Sequence, residues 1–377
     1  MIQMLDYFVA ILTILYALLL MAYRYWYSKL SIFKPTDIAA PPTQFSIIIP
    51  ARNEAANIKA CVESILAQDY PKDAFEIIVM DDFSEDDTAF IVEALHHQYP
   101  NVHLLRLSDY FKPNELTAFK KKAIEKAVSH AKGNWIITTD ADCKVPTKWL
   151  SLYHAYIIKE QPVFVAAPVM FIKTAGVLNQ FQILDFLALQ GITAASVGAG
   201  KHSMSNGANL AFEKAAFIAV GGYQGVDHIA SGDDMFLMHK MKKTLAKPIG
   251  YLFHPDAIVL TDAMPTWKQF IMQRIRWSSK AKYYDDSSIF WVLLLVYAYN
   301  LSILVLLLVG DYKSLLITIA FKAFFEMFFL QPVALFYKMP GQLRYFPLYQ
   351  PLHILYTLVA GLFGQVKTYT WKGRKVK

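Results

Sequence analysis

The sequence has few cysteines and few charged residues. Only Cys61 and Cys143 occur among 377 residues, so no disulfide framework can hold the fold together and a compartment that keeps thiols reduced is expected. Charged residues make up 18% of the chain and hydrophobic residues 55%, which excludes disorder and disfavours a purely soluble protein. The net charge of +7 could indicate a nucleic-acid partner. Membrane anchoring explains it better, because five basic residues follow an apolar segment directly: Lys367, Lys372, Arg374, Lys375 and Lys377.

Motifs that would define other protein classes are also missing. No G-x-G-x-x-G follows the first strand-like run, as a dinucleotide dehydrogenase would require, and no G-x-x-x-x-G-K-[ST] phosphate loop occurs. A transporter would need more membrane-spanning segments than the apolar runs supply. These absences leave other kinds of membrane-bound protein to consider.

Three uncharged runs are long enough to cross a membrane. Residues 7–23 precede aromatic and basic residues, which predicts a transmembrane helix whose C-terminal end faces the cytoplasm. A cleaved signal peptide is the alternative, disfavoured because Asp6 and no basic residue precedes the run. Residues 289–309 and 345–366 also have crossing length, although prolines make the second run irregular.

Two further apolar segments are not expected to cross. Residues 314–337 carry Lys322 and Glu326 four positions apart, a spacing that lets them pair on one helix face, and we expect an interfacial or re-entrant segment. Residues 177–197 contain Asp185 as their one charge. A crossing there would place the acidic motifs before and after it on opposite sides of the bilayer. We therefore expect an amphipathic helix at the membrane surface, with a core helix of the neighbouring domain as the alternative.

The interval from residue 44 to residue 262 alternates short apolar runs with helical patterns. Its strand-like runs are 45–50, 75–81, 102–107 and 135–140. This alternation predicts an α/β fold with a doubly wound, mostly parallel sheet. The expected organisation is an N-terminal transmembrane helix (1–30), a linker (31–43), the α/β domain (44–262), an interfacial segment (263–288), a C-terminal membrane region with two to three helices (289–366) and a basic cytoplasmic tail (367–377).

Polar and acidic residues follow the strand-like runs, where open α/β sheets bind ligands. Pro50, Arg52 and Glu54 end or follow the first run. Acidic residues end or follow the second and fourth runs, namely Asp81, Asp82, Asp140 and Asp142. Clustered carboxylates are costly unless something positive binds, and a hard divalent cation with phosphate ligands is the usual solution. Taken singly, these residues could instead begin solvated helices, since Asp is a common N-cap.

Two downstream motifs add candidate chemistry. Asp233 and Asp234 form another acidic pair, and a carboxylate free of metal can take a proton from an attacking hydroxyl. A capped surface helix is the alternative. In the sequence QRIRW at residues 273–277, the arginines could bind phosphate oxygens and the tryptophan a sugar or apolar group. The alternative is that these residues form an interfacial belt at the membrane surface.

These motifs together resemble the membrane-bound family 2 glycosyltransferases of the GT-A fold, the group that includes cellulose, hyaluronan and poly-N-acetylglucosamine synthases and ceramide glucosyltransferase. The matching motifs, in family order over about 230 residues, are IPARNE (49–54), DDFSEDDT (81–88), FKKKAI (119–124), TDADC (139–143), SNGAN (205–209), GGY (221–223), GDD (232–234) and QRIRW (273–277). One departure is GDD, because many members have a Glu-Asp pair where this chain has Asp233 and Asp234. The chain also supplies fewer C-terminal helices than cellulose synthase-like enzymes.

The resemblance implies roles for individual residues. The nucleotide-binding residues it implies are Pro50, Arg52, Glu54, Asp81, Asp82, Lys120, Asp140, Gln273, Arg274 and Arg276. Asp142, with Asp140, would hold Mg²⁺ or Mn²⁺, and Asp234, beside Asp233, would deprotonate the acceptor hydroxyl. The residues implied to border the acceptor are Asn206, Gly207 and Trp277.

The expected function is an inverting, metal-dependent glycosyltransferase at the cytoplasmic face of a bacterial inner membrane. It would move a sugar from a nucleotide donor, a uridine diphosphate sugar by expectation, to a lipid or membrane-proximal glycan. A catalytically silent nucleotide-binding scaffold and a processive polysaccharide synthase are the alternatives. No nucleic-acid partner is expected.

Overall fold

The computed structural model describes residues 2–35, 40–201, 204–280, 283, 286–366, 369–371 and 374–376. Parts of the predicted linker and of the predicted basic tail therefore lie outside the described residues. The chain divides into two compact units. The helical unit comprises Met1–Leu30, Lys173–His202 and Ala263–Tyr369, and the sheet unit comprises Ser31–Ile172, Ser203–Asp262 and Thr370–Lys377.

The strands fall into one large sheet and two small ones. In chain order they are β1 (Phe45–Ala51), β2 (Phe75–Asp81), β3 (Val102–Arg106), β4 (Trp135–Thr138), β5 (Phe164–Ala166), β6 (Val169–Phe171), β7 (Leu210–Glu213), β8 (Ile249–Tyr251), β9 (Val259–Thr261), β10 (Tyr369–Trp371) and β11 (Arg374–Val376). The large sheet has the order β3-β2-β1-β4-β7-β5-β8, while β6 pairs with β9 and β10 with β11.

The large sheet is mostly parallel, as the sequence predicts. β1 pairs in parallel with β2 and β4, with Ala51 opposite Asp81 and Ile48 opposite Thr138. The carboxyl ends of these strands therefore meet at one edge. The four predicted strand-like runs correspond to β1 to β4. The largely apolar sequences of β1, β2 and β4 suit strands covered on both faces, whereas β3 is mostly half-buried. The sequence reasoning missed β7, which runs antiparallel to both β4 and β5.

Twelve α-helices are assigned in the described residues. They are α1 (Ile2–Ser28), α2 (Ile58–Leu66), α3 (Thr88–Gln98), α4 (Phe119–His130), α5 (Trp149–Glu160), α6 (Val177–Gly198), α7 (Lys214–Ala219), α8 (Asp233–Thr244), α9 (Trp267–Ser278), α10 (Ser287–Val309), α11 (Tyr312–Phe336) and α12 (Phe346–Val366). In the sheet unit, α2 buries Ile58, Cys61, Val62 and Ile65, the spacing of one amphipathic face.

Among the described residues, four helices of the helical unit are long and apolar enough, by length and composition, to cross a membrane: α1, α6, α10 and α11. α12, which has Pro351 in its interior, is not among them. α11 is one continuous helix of 25 residues, which does not fit a re-entrant segment, and the interfacial alternative stays a prediction. Pro332 near its C-terminal end does not interrupt it.

α6 also differs from the sequence prediction. An amphipathic surface helix would bury one face, but residues on every side of α6 are buried, including polar ones such as Gln182 and Gln190. The helix packs within the helical unit: a β-carbon added at Gly191 would meet Val333 of α11 at 2.6 Å. The absence of a side chain there allows close helix packing. α6 is therefore neither a one-sided surface helix nor a core helix of the sheet unit.

A buried polar cluster joins α1, α11 and α12. The Lys322 ammonium lies 2.8 Å from Glu326 Oε1, which confirms the predicted pairing on one helix face. Gln350 Oε1 accepts from Lys322 at 2.7 Å, and Gln350 Nε2 donates to Glu326 Oε2 at 2.8 Å. The Tyr16 hydroxyl donates to Glu326 from α1. Charges buried among apolar helices are costly, and these contacts compensate both members of the pair.

Candidate active site

The loop after β2 is held by the residues that follow β1. Arg52 is 8% exposed, and its Nη1 donates to the carbonyl oxygens of Asp82 at 2.9 Å and Phe83 at 2.5 Å. Its Nη2 lies 3.0 Å from Glu85 Oε1. The Glu54 backbone N–H donates to Thr88 Oγ1 at 2.8 Å. Arg52 therefore acts through the acidic loop and fixes its shape.

Asp81, the last residue of β2, has a carboxylate oxygen that is suited to a bound ligand. It ends β2 beside Pro50 and Ala51 of β1 and is only 5% exposed. One carboxylate oxygen, Oδ2, accepts the Ser84 backbone N–H at 3.3 Å. The other, Oδ1, is buried and has no hydrogen-bond partner among the described residues. Because a buried unpaired acceptor is costly, a bound molecule with an N–H or O–H donor would be favoured here.

A second group of charges surrounds the Lys120 ammonium at the start of α4. Nζ lies 2.7 Å from Asp140 Oδ1 and 3.5 Å from Asp233 Oδ2, and the lysine side chain is 18% exposed. Burial alone would lower the pKa of Lys120, but the attraction of Asp140, Asp233 and Asp234 outweighs it and raises the pKa above its usual value. The structure thus brings together residues that lie up to 114 positions apart in the sequence.

Asp234 lies beside the SNGAN segment. Its Oδ2 accepts the Gly207 N–H at 3.1 Å and its Oδ1 accepts the Met235 N–H at 2.8 Å. The Gly207 carbonyl in turn accepts from Thr138 Oγ1 at 2.9 Å, at the end of β4. Asp233 is 7% exposed, whereas Asp234 is half-buried. Of the pair, Asp234 is therefore the more exposed carboxylate, and two backbone N–H groups hold its orientation.

Gly207 is a position where a side chain would collide with the site. A β-carbon there would lie 3.1 Å from Lys120 Nζ and 3.2 Å from Asp233 Oδ2. The preceding Asn206 bends the segment by accepting the Ala208 N–H through its side chain at 3.0 Å. The Asn206–Gly207 backbone therefore forms one wall around the ammonium and the two carboxylates.

The sequence analysis missed the role of Asn209, the last residue of SNGAN. This side chain is fully buried and bonds to two aromatic residues and two carbonyl groups. Its Oδ1 accepts from Trp149 Nε1 and Tyr153 Oη, both at 2.9 Å, and its Nδ2 donates to the Pro168 and Ala257 carbonyls. A short polar residue in a loop gives no signal of such a distant network. Asn209 anchors the wall that carries Gly207.

We expect Asn209→Ala to destabilise the sheet unit. The change leaves two buried aromatic donors and two carbonyls unpaired, at about 1–3 kcal/mol for each group. The melting temperature of the detergent-purified chain should fall by about 10 °C or more. Asn134→Ala, at an exposed position, is the matched control and should change it by less than about 2 °C. An equal effect of the two changes would contradict the anchoring role.

The two lysines after Lys120 were also not assigned. Lys121 is fully buried, and its Nζ donates to the Val226 and Ile229 carbonyls at 2.8 Å each. Lys122 pairs with Glu125 at 2.9 Å and with Asp227 at 3.4 Å. Both lysines therefore hold the loop that leads into α8, the helix that begins with Asp233 and Asp234.

Asp140 and Asp142 are the residues that could hold a divalent cation. Both are half-buried carboxylates just after β4, and carboxylate oxygens are ligands that Mg²⁺ and Mn²⁺ prefer. Among the described residues, no group of three or more His, Cys, Asp or Glu side chains is arranged to hold a metal ion. Two carboxylates suffice where substrate phosphates complete the shell. The residues thus fit a cation that arrives with a diphosphate.

Both cysteines lie behind this acidic segment. The Cys61 thiol donates to the Asp140 carbonyl at 3.5 Å, and both side chains are buried. Burial, followed by the nearby Asp142 and Asp140 charges, raises the pKa of each thiol. The thiols are therefore neutral packing groups, not metal ligands or nucleophiles.

The QRIRW residues belong to the helical unit. Arg274 is 4% exposed, and its Nε and Nη2 donate to Asp185 Oδ2 of α6 at 2.9 and 2.6 Å. Its Nη1 donates to Gln273 Oε1 at 2.5 Å, and its guanidinium lies over the Trp277 ring. This occupied guanidinium argues against the predicted diphosphate role of Arg274. The roles of Gln273, Arg276 and Trp277 stay predictions.

Comparisons with known proteins agree with the fold and the motifs. The profile described as "Glycosyl transferase family group 2" matches residues 135–363, and "Glycosyl transferase family 2" matches residues 46–220. Probable glycosyltransferase YdaM of Bacillus subtilis is 25% identical over 63% of this chain and 55% of its own length. Beta-monoglucosyldiacylglycerol synthase of Synechocystis is 29% identical over 31% of this chain and 26% of its own length. The chain thus spans about half or less of these relatives.

A solved structure shares the fold. The mannosyltransferase PcManGT from Pyrobaculum calidifontis, in complex with GDP-Man and Mn²⁺, superposes with a TM-score of 0.60 at 20% identity. The match covers 93% of this chain and 99% of that one. The mostly parallel sheet with acidic residues at its carboxyl edge is that of the GT-A fold. The chain belongs to glycosyltransferase family 2.

Proposed function

We propose that this enzyme transfers a sugar from a nucleotide donor to a lipid or membrane-proximal glycan, with inversion, in a metal-dependent reaction at the cytoplasmic face of the bacterial plasma membrane. The observation that carries the proposal is the meeting of Asp234, Gly207, Lys120 and Asp140 in the sheet unit. A carboxylate open to an acceptor then lies near an ammonium suited to a diphosphate.

Each side chain has a task in this reaction. The unpaired Asp81 oxygen accepts a hydrogen bond from the nucleoside, on a loop held by Arg52. Lys120 attracts the diphosphate. Asp234 takes the proton from the acceptor hydroxyl as it attacks the sugar carbon, and the nucleoside diphosphate leaves from the opposite face. One displacement without a covalent intermediate inverts the anomeric configuration.

A divalent cation is proposed to be held by Asp140 and Asp142. When bound, it would neutralise charge on the leaving diphosphate. The uridine donor rests on the resemblance. Because the PcManGT structure contains GDP-Man and Mn²⁺, guanosine diphosphate sugars and Mn²⁺ belong in any donor panel.

The acceptor proposal rests on the helical unit. The helices α1, α10 and α11, which have crossing length and composition, would place the enzyme in a membrane, where its acceptor would be a lipid or a lipid-linked glycan. A relative whose name specifies a glucosyldiacylglycerol synthase points the same way. Mass spectrometry should compare membrane lipids and glycans from cells that carry the wild-type gene, the Asp234→Asn gene or no gene. A product found only in the soluble fraction of wild-type cells would contradict the proposal.

The proposed topology places the sheet unit in the cytoplasm. We expect a cysteine at Lys59, whose side chain is 66% exposed on α2, to resist an impermeant thiol reagent in intact cells and to react after permeabilisation. Background labelling should be low because Cys61 and Cys143 are both buried. Labelling of Lys59→Cys in intact cells would place the sheet unit outside.

A further inference from the structure

Lys120 occupies one of the two carboxylates assigned to the cation. Its Nζ lies 2.7 Å from Asp140 Oδ1, a charge-assisted hydrogen bond, and 3.5 Å from Asp233 Oδ2. The lysine side chain is 18% exposed, and its ammonium is bordered by the Gly207 backbone. A water-poor setting of this kind weakens screening between charges, so the lysine and a divalent cation at the same carboxylate would repel each other.

Without a donor, the site therefore has a cation of its own. Lysine is charged at physiological pH, and the carboxylates of Asp140 and Asp233 lie 2.7 and 3.5 Å from the Lys120 ammonium. A nucleoside diphosphate would change this balance, because its negative charges can separate the ammonium from the metal and attract both. The lysine could then contact phosphate oxygens while the metal takes Asp140.

We propose that Lys120 is a built-in counter-cation that occupies Asp140 in the donor-free enzyme and makes binding of the divalent cation depend on the nucleoside diphosphate. The inference rests on the proposed function, since it uses the same metal and donor site. By linkage, the diphosphate and the cation must strengthen each other's binding by the same factor. The enzyme then takes up metal and donor together instead of storing a resident metal ion.

The test is Mn²⁺ binding to the detergent-purified full chain, followed by the loss of the free Mn²⁺ electron paramagnetic resonance signal. Without nucleotide, wild type should bind Mn²⁺ weakly, and UDP or GDP should tighten binding about tenfold. Lys120→Met should bind Mn²⁺ about tenfold more tightly than wild type without nucleotide, and the effect of nucleotide should shrink. Lys120→Gln, which can still donate to Asp140 without a charge, should behave like Lys120→Met.

Lys126→Met is the matched control, because that lysine lies on the same helix with its ammonium over the Tyr110 ring, not on Asp140. It should bind Mn²⁺ as wild type does. The inference is overturned if neutral variants of Lys120 bind Mn²⁺ no more tightly than wild type. If neither variant folds, wild type still decides, since Mn²⁺ affinity that is independent of UDP and GDP would overturn the inference. Failure of wild type to bind Mn²⁺ under any of these conditions would instead remove the metal dependence from the proposed function.

Discussion

Asp234→Asn is expected to slow sugar transfer by about 10²–10⁴-fold while leaving the KM for the donor nearly unchanged. Asparagine keeps the size of the side chain, and its oxygen can still accept one of the two backbone N–H groups that hold Asp234. It cannot accept the proton of the acceptor hydroxyl. The loss should therefore appear in kcat, measured as product formed per enzyme at saturating donor and acceptor.

Asp233→Asn is the matched comparison for this prediction. Asp233 is more deeply buried and interacts with Lys120, so its loss should perturb the ammonium and cost less than the loss of the base. If Asp233→Asn is the more damaging change, the base is Asp233 and the match of GDD to the family's Glu-Asp pair is off by one residue.

Asp142→Asn should reduce metal-dependent turnover by about a hundredfold or more. Among the described residues, no third His, Cys, Asp or Glu side chain joins Asp140 and Asp142 in a group that could hold a metal ion, so removing one carboxylate leaves the charge on the leaving diphosphate poorly neutralised. Nucleotide binding without metal should survive, because Asp81 ends β2 and Arg52 follows β1, whereas Asp142 follows β4. Both quantities can be measured on one preparation, by nucleoside diphosphate release and by equilibrium binding of labelled nucleotide.

Asp73 is an exposed acidic residue just before the amino end of β2, whereas the site lies at the carboxyl ends of the strands. Asp73→Asn therefore controls for the loss of one negative charge and should leave the rate unchanged. A rate for Asp142→Asn above about a tenth of wild type would remove this residue from the metal site. A tenfold loss of rate corresponds to about 1.4 kcal/mol of activation free energy, which is less than the few kcal/mol expected from a lost ligand.

The parallel half of the sheet could be predicted from sequence because strands buried on both faces read as continuous apolar runs. The pairing of β7 could not be predicted, because the four residues from Leu210 to Glu213 carry no signal that this strand lies between β4 and β5 and runs antiparallel to both. α6 was misjudged for a similar reason. Hydropathy gives its apolar composition but not that α1 and α11 cover its sides.

The acidic residues of the site were predictable because each follows a strand, and parallel strands bring their ends together. The sequence does not predict the buried hydrogen bonds of Asn209 or the carbonyl contacts of Lys121, because the partners are about 40 to 110 positions away in the sequence. Arg274 shows the same limit. Its motif suggested a phosphate ligand, but its partner is Asp185, 89 positions earlier.

The central claim is that the acidic edge of the sheet catalyses sugar transfer from a nucleotide donor. Its most direct test is to incubate the purified chain with a membrane lipid extract, a panel of UDP and GDP sugars, and Mg²⁺ or Mn²⁺. The account predicts that one donor yields nucleoside diphosphate and glycosylated product in equal amounts, that the new linkage is inverted, and that chelation and Asp234→Asn each abolish the reaction. A product with retained configuration, or equal product from folded Asp234→Asn, would contradict it.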